Sequence, residues 1–191
     1  MAKLRNANAY RRIKRPYTRM SKYKRKSYIK GVPGSRIQLF DMGDLTTDFP
    51  IKYRLVATKD INLRHNALEA GRMAATHLLG RQFGKKGFTL HIHAFPHHIM
   101  RENALATGAG ADRMQTGMRN AFGKSIGKSA QVKKGKVIMT VGVPENGAHF
   151  AREALRKSSS KFPIKCSVEK IEPIVKKAKK AEKIKKVKKT E

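Results

Sequence analysis

Positive charge is concentrated at both ends of this chain, and this limits where a folded core can form. Residues 1–36 contain 13 Lys or Arg and no acidic residue, and residues 173–191 contain nine Lys and two acidic residues. Both segments have too little apolar content to bury a core, and their like charges repel one another on compaction. We therefore expect one globular domain over residues 37–172, with a basic N-terminal arm (1–36) and a lysine-rich C-terminal tail (173–191).

The net charge of the whole chain indicates the kind of partner it binds. The 191 residues include 44 Lys or Arg and 13 Asp or Glu, so the formal net charge is +31. Nucleic acid is the polyanion that such a chain suits, because each Lys or Arg at a phosphate releases a condensed counterion. An acidic membrane surface is the alternative, but it favours a basic amphipathic helix with large apolar anchors. The chain has no Trp and its basic ends are not amphipathic, so we expect no membrane partner.

Cysteine content and apolar runs indicate the compartment. The single cysteine, Cys166, excludes an intrachain disulfide and a zinc site built from several cysteines. No apolar run approaches the ~20 residues of a transmembrane helix. The N-terminus also lacks the apolar stretch of a signal peptide. These features predict a soluble, intracellular protein.

Apolar spacing in the middle of the chain predicts a mixed domain. Strands are expected at residues 36–40, 52–57, 88–95, 130–132, 136–143 and 163–168, and helices at about 63–80 and 145–157. A turn is expected at 41–44, and Gly80 suits the position just past a helix end. The predicted fold class is α+β: a two-layer α/β sandwich with two helices packed on a mostly antiparallel sheet. Residues 97–127 are rich in glycine and are predicted to form a long irregular loop inserted in the domain.

The N-terminal arm alternates tyrosines with basic residues. Arg and Lys neutralise phosphate, and Tyr can stack on an unpaired base. A solubilising tail is the alternative, although such a tail needs no tyrosines. The predicted RNA-binding residues of the arm are Arg5, Tyr10, Arg11, Arg12, Lys14, Arg15, Tyr17, Arg19, Lys22, Tyr23, Lys24, Arg25 and Lys26, and Tyr28 continues the pattern.

Four histidines follow one another closely at His91, His93, His97 and His98. Two histidines one residue apart on a strand face can share a zinc ion. No third ligand is evident from the sequence, because Glu102 is the only close carboxylate and no cysteine is near. We therefore expect His91 and His93 to line a polar sheet face and to donate hydrogen bonds to RNA or to neighbouring side chains. No metal or other cofactor is predicted.

The segment 123–129, reading GKSIGKS, resembles the end of a phosphate-binding loop. The Walker pattern requires a glycine five residues before the glycine of its Gly-Lys-Ser, and that position is Phe122 here. No apolar strand leads into the segment, so nucleotide hydrolysis is not expected. The segment is instead interpreted as a flexible basic loop. Arg101, Arg113 and Arg119 flank a run of small residues at 104–113. Together with Lys124 and Lys128 of the basic segment, they are predicted to bind RNA.

One long run and several short ones resemble a known family. The run is residues 109–124, AGADRMQTGMRNAFGK, and the short matches are KRPY at 14–17, ALEAGR at 67–72, REALR at 152–156 and KFP at 161–163. Together they resemble the large-subunit ribosomal protein L-ten-e family, the archaeal and eukaryotic branch of the universal ribosomal protein L-sixteen family. The resemblance extends from about Tyr10 to about Val168. The lysine-rich tail lies outside it.

The resemblance implies a place and a role. It implies a hammerhead-like α/β sandwich on large-subunit ribosomal RNA, between the central protuberance and the peptidyl-transferase region. The basic arm would enter the RNA, and the loop at about 101–113 would reach toward the tRNA acceptor ends and help to position tRNA. The tRNA-proximal residues would be Gly108, Ala109, Gly110, Ala111 and Asp112. The implied partners are ribosomal RNA, the tRNA acceptor region and neighbouring ribosomal proteins, with no homo-oligomer and no catalytic residues.

Two other classes of protein remain as alternatives. A DNA-compacting chromatin protein also tolerates a charge of +31, but it needs no long defined loop. A metal-dependent enzyme would use the histidines and would contain stoichiometric zinc. We expect a structural RNA-binding protein of the ribosome in preference to either.

Overall fold

The computed structural model describes residues 4–19, 23–103, 109 and 123–171. This part of the chain forms two α-helices and two antiparallel sheets, which confirms the predicted α+β fold class. The strands and helices, in chain order, are β1 (Asp41–Gly43), β2 (Ile51–Ala57), β3 (Ile61–Arg64), α1 (His65–Phe83), β4 (Thr89–Ile92), β5 (His98–Glu102), β6 (Lys124–Val132), β7 (Val137–Val143), α2 (Ala148–Ser159) and β8 (Cys166–Ile171). Short 3-10 helices occur at Ala7–Tyr10, Lys24–Lys26 and Glu145–Gly147.

The strands are divided between a large and a small sheet. The five-stranded sheet has the order β1-β4-β7-β2-β8, and the three-stranded sheet has the order β3-β6-β5. All pairings are antiparallel, and Leu55 at the centre of β2 lies opposite Met139 of β7 and Val168 of β8. The antiparallel layer expected from the sequence is thus two sheets, and the connections from β2 to β3 and from β6 to β7 are among those that carry the chain between them.

Both helices pack into one core shared with the sheets. Helix α2 contacts β2, β7 and β8, while α1 contacts α2, β3 and β6. The helices approach closely at Gly71, where an added Cβ would lie 3.0 Å from the ring of Phe162 and 3.3 Å from Met139. The hydroxyl of Ser158 in α2 donates a hydrogen bond of 2.8 Å to the Gly71 carbonyl. A glycine at position 71 therefore permits the close packing of small residues that the sequence predicted for this face.

The alternation predicted around β4 is confirmed. Leu90 and Ile92 are buried in the core, as are Phe88 and Ala94 on either side of the strand. His93 and Phe95 point to the other, exposed face. The strand itself is shorter than predicted, because its ladder to β7 runs only from Thr89 to Ile92.

The first predicted strand is wrong. Residues 36–40 form no strand, although Ile37 is buried; the strand is Asp41–Gly43, where a turn was expected. The Asp and Gly residues that indicate a turn are paired with β4 instead, with Asp41 opposite His91. Gly43 has a φ of +86°, and a Cβ there would lie 1.9 Å from the Phe88 carbonyl oxygen, so only glycine allows this approach.

The bounds of both helices also differ from the prediction. Helix α1 runs through Gly80 to Phe83, and Gly84, with φ of +70°, takes the C-terminal position that Gly80 was expected to fill. Leu63, where the helix was predicted to begin, belongs to β3. The apolar Ile61 and Leu63 directly precede the helical pattern of α1, so the sequence did not separate this short strand from the helix. Helix α2 begins at residue 148 and is preceded by a 3-10 turn, and β8 begins three residues later than predicted.

The irregular loop predicted over 97–127 contains two strands. Strand β5 lies at its start, and β6 includes most of the segment 123–129, so the flexible basic loop predicted there is wrong. Gly127 favoured the prediction of a loop, but this residue is buried in the strand. A Cβ added there would lie 3.0 Å from His65 Nε2 and 3.3 Å from Met100. Small residues in this strand provide room for a histidine instead of forming a turn. Residues 104–108 and 110–122 lie outside the described part.

Candidate nucleic-acid interface

The basic arm is hydrogen-bonded to the three-stranded sheet through its backbone. Asn62 of β3 is 6% exposed, and its Nδ2 donates to the carbonyls of Tyr10 and Arg12, both at 2.8 Å. On the neighbouring strand β6, Gln131 Nε2 donates to the Lys14 carbonyl at 2.9 Å. These side chains bind main-chain atoms and leave the arm's own side chains available for other contacts.

Further along, the arm is hydrogen-bonded to β5. The amide of Ile99 donates to the Tyr17 carbonyl at 3.0 Å, and the amide of Tyr17 donates to Nδ1 of His98 at 2.9 Å. His98 must be neutral at Nδ1 to accept this hydrogen bond. Burial, followed by the charges of His97 and Arg101, lowers the pKa of His98 and favours that neutral form. Residues 10–17 therefore run across the strands of the small sheet.

The arm tyrosines contact basic residues of the same chain. Tyr10 and Tyr17 meet guanidinium groups from the small sheet, so their rings help to fix the arm. Burial, and then the nearby Glu102 carboxylate, raises the pKa of Tyr10. The cation-to-centroid distances are 4.8 Å for Arg64 over Tyr10, 3.9 Å for Arg101 over Tyr17, 4.0 Å for Arg19 over Tyr28 and 5.7 Å for Lys26 over Tyr23. Base stacking by these rings stays a prediction.

Most predicted phosphate-binding side chains of the arm are exposed and have no acidic partner among the described residues. Arg5 is the exception, because its Nε lies 2.8 Å from Glu102 Oε1. An unpaired, hydrated cation can bind phosphate without first breaking an ion pair. The exposed, unpaired residues of this set are Arg11, Arg12, Lys14, Arg15, Arg19, Arg25 and Lys26.

Three basic residues predicted from the central segment lie on the same sheet as the arm. Lys124 is exposed at the start of β6, Lys128 is partly buried opposite Ile99, and Arg101 covers Tyr17 from β5. Lys128 also lies near His65. Burial lowers the pKa of His65, and the charges of Arg36 and Lys128 lower it further. Arm and small sheet together thus form one cationic surface, which we name the arm face: residues 4–19 with β3, β5 and β6.

Several predicted site residues cannot be placed on this surface. Lys22, Arg113, Arg119, Gly108, Gly110, Ala111 and Asp112 lie outside the described residues, as do the tail and the side chain of Lys24. Ala109 is described and is exposed.

His91 and His93 lie on the five-stranded sheet, away from the sheet that carries the arm. His91 Nδ1 contacts Asp41 Oδ1, His93 Nε2 contacts Thr140 Oγ1 at 2.7 Å, and the two rings meet edge to face with centroids 4.4 Å apart. Burial, followed by His91, lowers the pKa of His93. Their outward position is as predicted, but both have protein partners, and the nearby carboxylate is Asp41, not Glu102.

The described part of the chain has the features of neither a metal site nor a membrane span. Within it, no three His, Cys, Asp or Glu side chains are grouped so that they could hold a metal ion. Nor does any helix there have the length and apolar character needed to cross a membrane.

Sequence reasoning missed the residues that attach the arm. Asn62, Gln131 and Arg64 lie on strands that were unpredicted or predicted too short, so they were not among the predicted site residues. The alternation of Ile61-Asn62-Leu63-Arg64 was the available signal, because it directs Asn62 and Arg64 to the face opposite the core.

The described residues form a folded α+β domain with a basic arm bound along one sheet, and most of the arm's cations have no acidic partner there. These are features of a subunit that packs into a nucleic-acid particle. A family model described as ribosomal protein L16p/L10e matches residues 14–169. The chain is 45% identical over 172 residues to the large ribosomal subunit protein uL16 of Archaeoglobus fulgidus, covering 89% of this chain and 95% of the relative. It is 42% identical over 165 residues to uL16 of Methanococcus maripaludis, covering 86% and 92%. The same protein of Methanocella arvoryzae is 42% identical over 156 residues, covering 81% and 91%.

The chain therefore belongs to the L16p/L10e family of large-subunit ribosomal proteins. This confirms the resemblance found in the sequence and its archaeal character.

Proposed function

We propose that this chain is a structural protein of the cytoplasmic large ribosomal subunit. It binds folded ribosomal RNA near the central protuberance and the peptidyl-transferase region, beside neighbouring ribosomal proteins, and it catalyses no reaction itself. The observation that carries the proposal is the arm itself: its backbone is hydrogen-bonded to the small sheet, while most of its cations, other than Arg5, are exposed and have no acidic partner among the described residues.

A pre-ordered arm suits a folded RNA better than a flexible tail does. Contacts with phosphates position a protein on RNA, and each contact requires a cation at a defined place. Ordering a free segment on binding would oppose association through lost conformational entropy. Since residues 10–17 are already held by β3, β5 and β6, that cost is reduced. DNA compaction, the alternative, needs no such order and has no support in the family or in the relatives.

The tRNA-positioning role is proposed for the segment between β5 and β6. Glu102 and Lys124 are paired across these strands, so the intervening residues leave and re-enter the small sheet at one end. Such a connection can extend from the arm face toward a second RNA without altering the core. We propose that it approaches the tRNA acceptor ends and that Gly108–Asp112 supply the closest part.

His91 and His93 are proposed as a second, weaker RNA contact. They and Thr140 form a polar patch on the outer face of the large sheet. Exchanging both histidines for Asn keeps hydrogen-bonding capacity but shortens the side chains, so binding to ribosomal RNA should weaken modestly. Metal analysis of the unaltered chain should find no bound zinc; one zinc per chain would instead favour the metal-enzyme alternative.

The salt dependence of RNA binding tests the main proposal. If the arm face contacts roughly 6–10 phosphates, affinity for large-subunit ribosomal RNA should fall about 10³–10⁵-fold between about 50 and 200 mM salt. The variant Arg11→Gln, Arg12→Gln, Lys14→Gln, Arg15→Gln removes four charges and keeps the backbone hydrogen bonds. In a plot of log affinity against log salt concentration, this variant should flatten the slope by about 0.7–0.9 for each phosphate that it no longer neutralises.

The matched control removes four charges elsewhere. Lys59, Lys85, Lys86 and Lys170 are exposed and lie outside the arm face, and all four are replaced by Gln. Its slope should stay close to that of the unaltered chain. Equal slopes for the two quadruple variants would show that net charge, and not the arm face, determines binding, and the proposal would be wrong.

A further inference from the structure

A pocket of about 450 Å³ opens where the arm meets the ends of β5 and β6. This volume falls within the ~300–1,000 Å³ typical of small-ligand sites. Its lining includes Tyr17, Tyr28, Lys30, Arg101, Lys124 and Ser125. Only three of these six, Tyr17, Arg101 and Lys124, were among the RNA-binding residues expected from the sequence, and none was expected to form a cavity.

Tertiary contacts hold the walls of the pocket in place. The Ser125 hydroxyl, on β6, donates to the Gly31 carbonyl at 2.8 Å, and Gly31 has the positive φ of +63° that turns the chain there. Ile29, two residues before this turn, is buried, and Tyr17 is hydrogen-bonded to β5. The pocket is therefore built by the fold, and it joins segments more than 90 residues apart in the chain.

The lining combines flat stacking surfaces with positive charge. Arg101 lies 3.9 Å from the centroid of the Tyr17 ring, and Arg19 lies 4.0 Å from that of Tyr28, so two ring–guanidinium stacks stand at the pocket. Unpaired bases stack on tyrosine rings and on guanidinium planes alike. Lys30 and Lys124 are exposed, and no described residue of the lining is acidic.

We propose that this pocket binds one unpaired nucleotide of RNA. The base stacks on the tyrosine and arginine surfaces, and Lys30 and Lys124 bind its phosphate. The inference rests on the proposed RNA-binding function and deepens it, because it adds a site for a single extruded nucleotide to the contacts along the arm. A free phosphate ion would use the lysines but would gain nothing from the two rings.

The test uses the full chain and a uridine octanucleotide with 2-aminopurine at its centre, since uridine stacks weakly and leaves the probe base free. Tyr28 is 65% exposed, so replacing it should leave the fold intact, which circular dichroism checks. Tyr28→Leu removes the ring and Tyr28→Phe keeps it. Lys124→Gln removes a pocket charge, and Lys170→Gln removes an exposed charge on β8 as the matched control.

Binding should quench the 2-aminopurine fluorescence of the unaltered chain and of Tyr28→Phe. Tyr28→Leu should lose most of the quenching and bind about 5- to 150-fold more weakly, the range expected for one base–aromatic stack. Lys124→Gln should weaken binding at low salt more than at high salt, because phosphate contacts are screened. Lys170→Gln should behave as the unaltered chain does.

Two results would overturn the inference and leave the proposed function standing. If RNA binds but every variant quenches and binds alike, the pocket takes no nucleotide. If only Lys124→Gln weakens binding while Tyr28→Leu does not, the pocket is an anion site without base recognition. Failure of the unaltered chain to bind ribosomal RNA at all would count against the proposed function itself.

Discussion

Replacing Asn62 should release the arm while leaving the domain folded. Asn62 is almost fully buried on β3, and its side-chain amide donates to two arm carbonyls at 2.8 Å. Alanine at this position removes both donors and introduces no charge. The arm's remaining attachments, at Gln131 and on β5, should then open more often.

The loss of two hydrogen bonds determines the size of the effect. A neutral intramolecular hydrogen bond of good geometry contributes about 0.5–1.5 kcal/mol net, so two contribute about 1–3 kcal/mol. Since 1.4 kcal/mol is about a factor of ten, opening of the arm should become about 5- to 150-fold more frequent. Gln131→Ala, which removes one hydrogen bond to the Lys14 carbonyl, is the graded control and should give about 2- to 12-fold.

Amide hydrogen exchange measures this opening directly. The amides of Tyr17 and Ile99 are each bonded across the junction between the arm and β5, so their exchange should accelerate by these factors. The amide of Leu55, at the centre of the large sheet, should keep its rate. Unchanged exchange at Tyr17 and Ile99 in Asn62→Ala would refute the reasoning that this side chain anchors the arm.

Three further results are expected. Acidification should loosen the arm, because a protonated His98 cannot accept the hydrogen bond from the Tyr17 amide. The folded-state pKa of His98 is below its ordinary 6.5, so its contribution to arm attachment is complete above about pH 6.5 and is lost as pH falls through the lowered value. Hydrogen exchange at the Tyr17 amide would follow this loss. Denaturant unfolding should separate two glycines of α1. Gly80→Ala places its Cβ in open space and should stabilise the domain by about 0.5–1 kcal/mol. Gly71→Val places its side chain against Phe162 and should destabilise the domain by about 1–3 kcal/mol. Deleting residues 104–112 keeps Glu102, the ion-pair partner of Arg5. The deletion should leave melting temperature and subunit incorporation near normal but impair tRNA accommodation. Normal peptide synthesis by subunits that carry the shortened chain would contradict the proposed loop role.

Elements with a clear repeating pattern were predictable from the sequence, and elements broken by glycine or polar residues were not. Strand β4 alternates cleanly from Phe88 to Ala94, and the faces of its side chains followed directly. Strand β6 was largely missed because Gly127, Lys128 and Ser129 interrupt its apolar pattern. Packing explains this strand: Gly127 provides space for His65, a residue more than 60 positions away, and no local rule could show it.

The candidate site was predictable in composition but not in geometry. Charge and tyrosine content predict an RNA-binding arm, and which of its residues bind RNA stays a prediction. Its attachment depends on Asn62 and His98, whose hydrogen bonds join the arm to strands that the pattern did not reveal. The pocket at Tyr28 depends likewise on Ser125 meeting Gly31, which only the folded chain brings together.

Crosslinking in living cells, followed by sequencing of the attached nucleic acid, tests the central claim most directly. The account predicts that large-subunit ribosomal RNA dominates the crosslinked material. It also predicts that the crosslinked peptides come from the arm and from β5 and β6, with the quadruple arm variant reducing their yield. Crosslinks spread over DNA or over unrelated RNA, or peptides confined to the face opposite the arm, would contradict it.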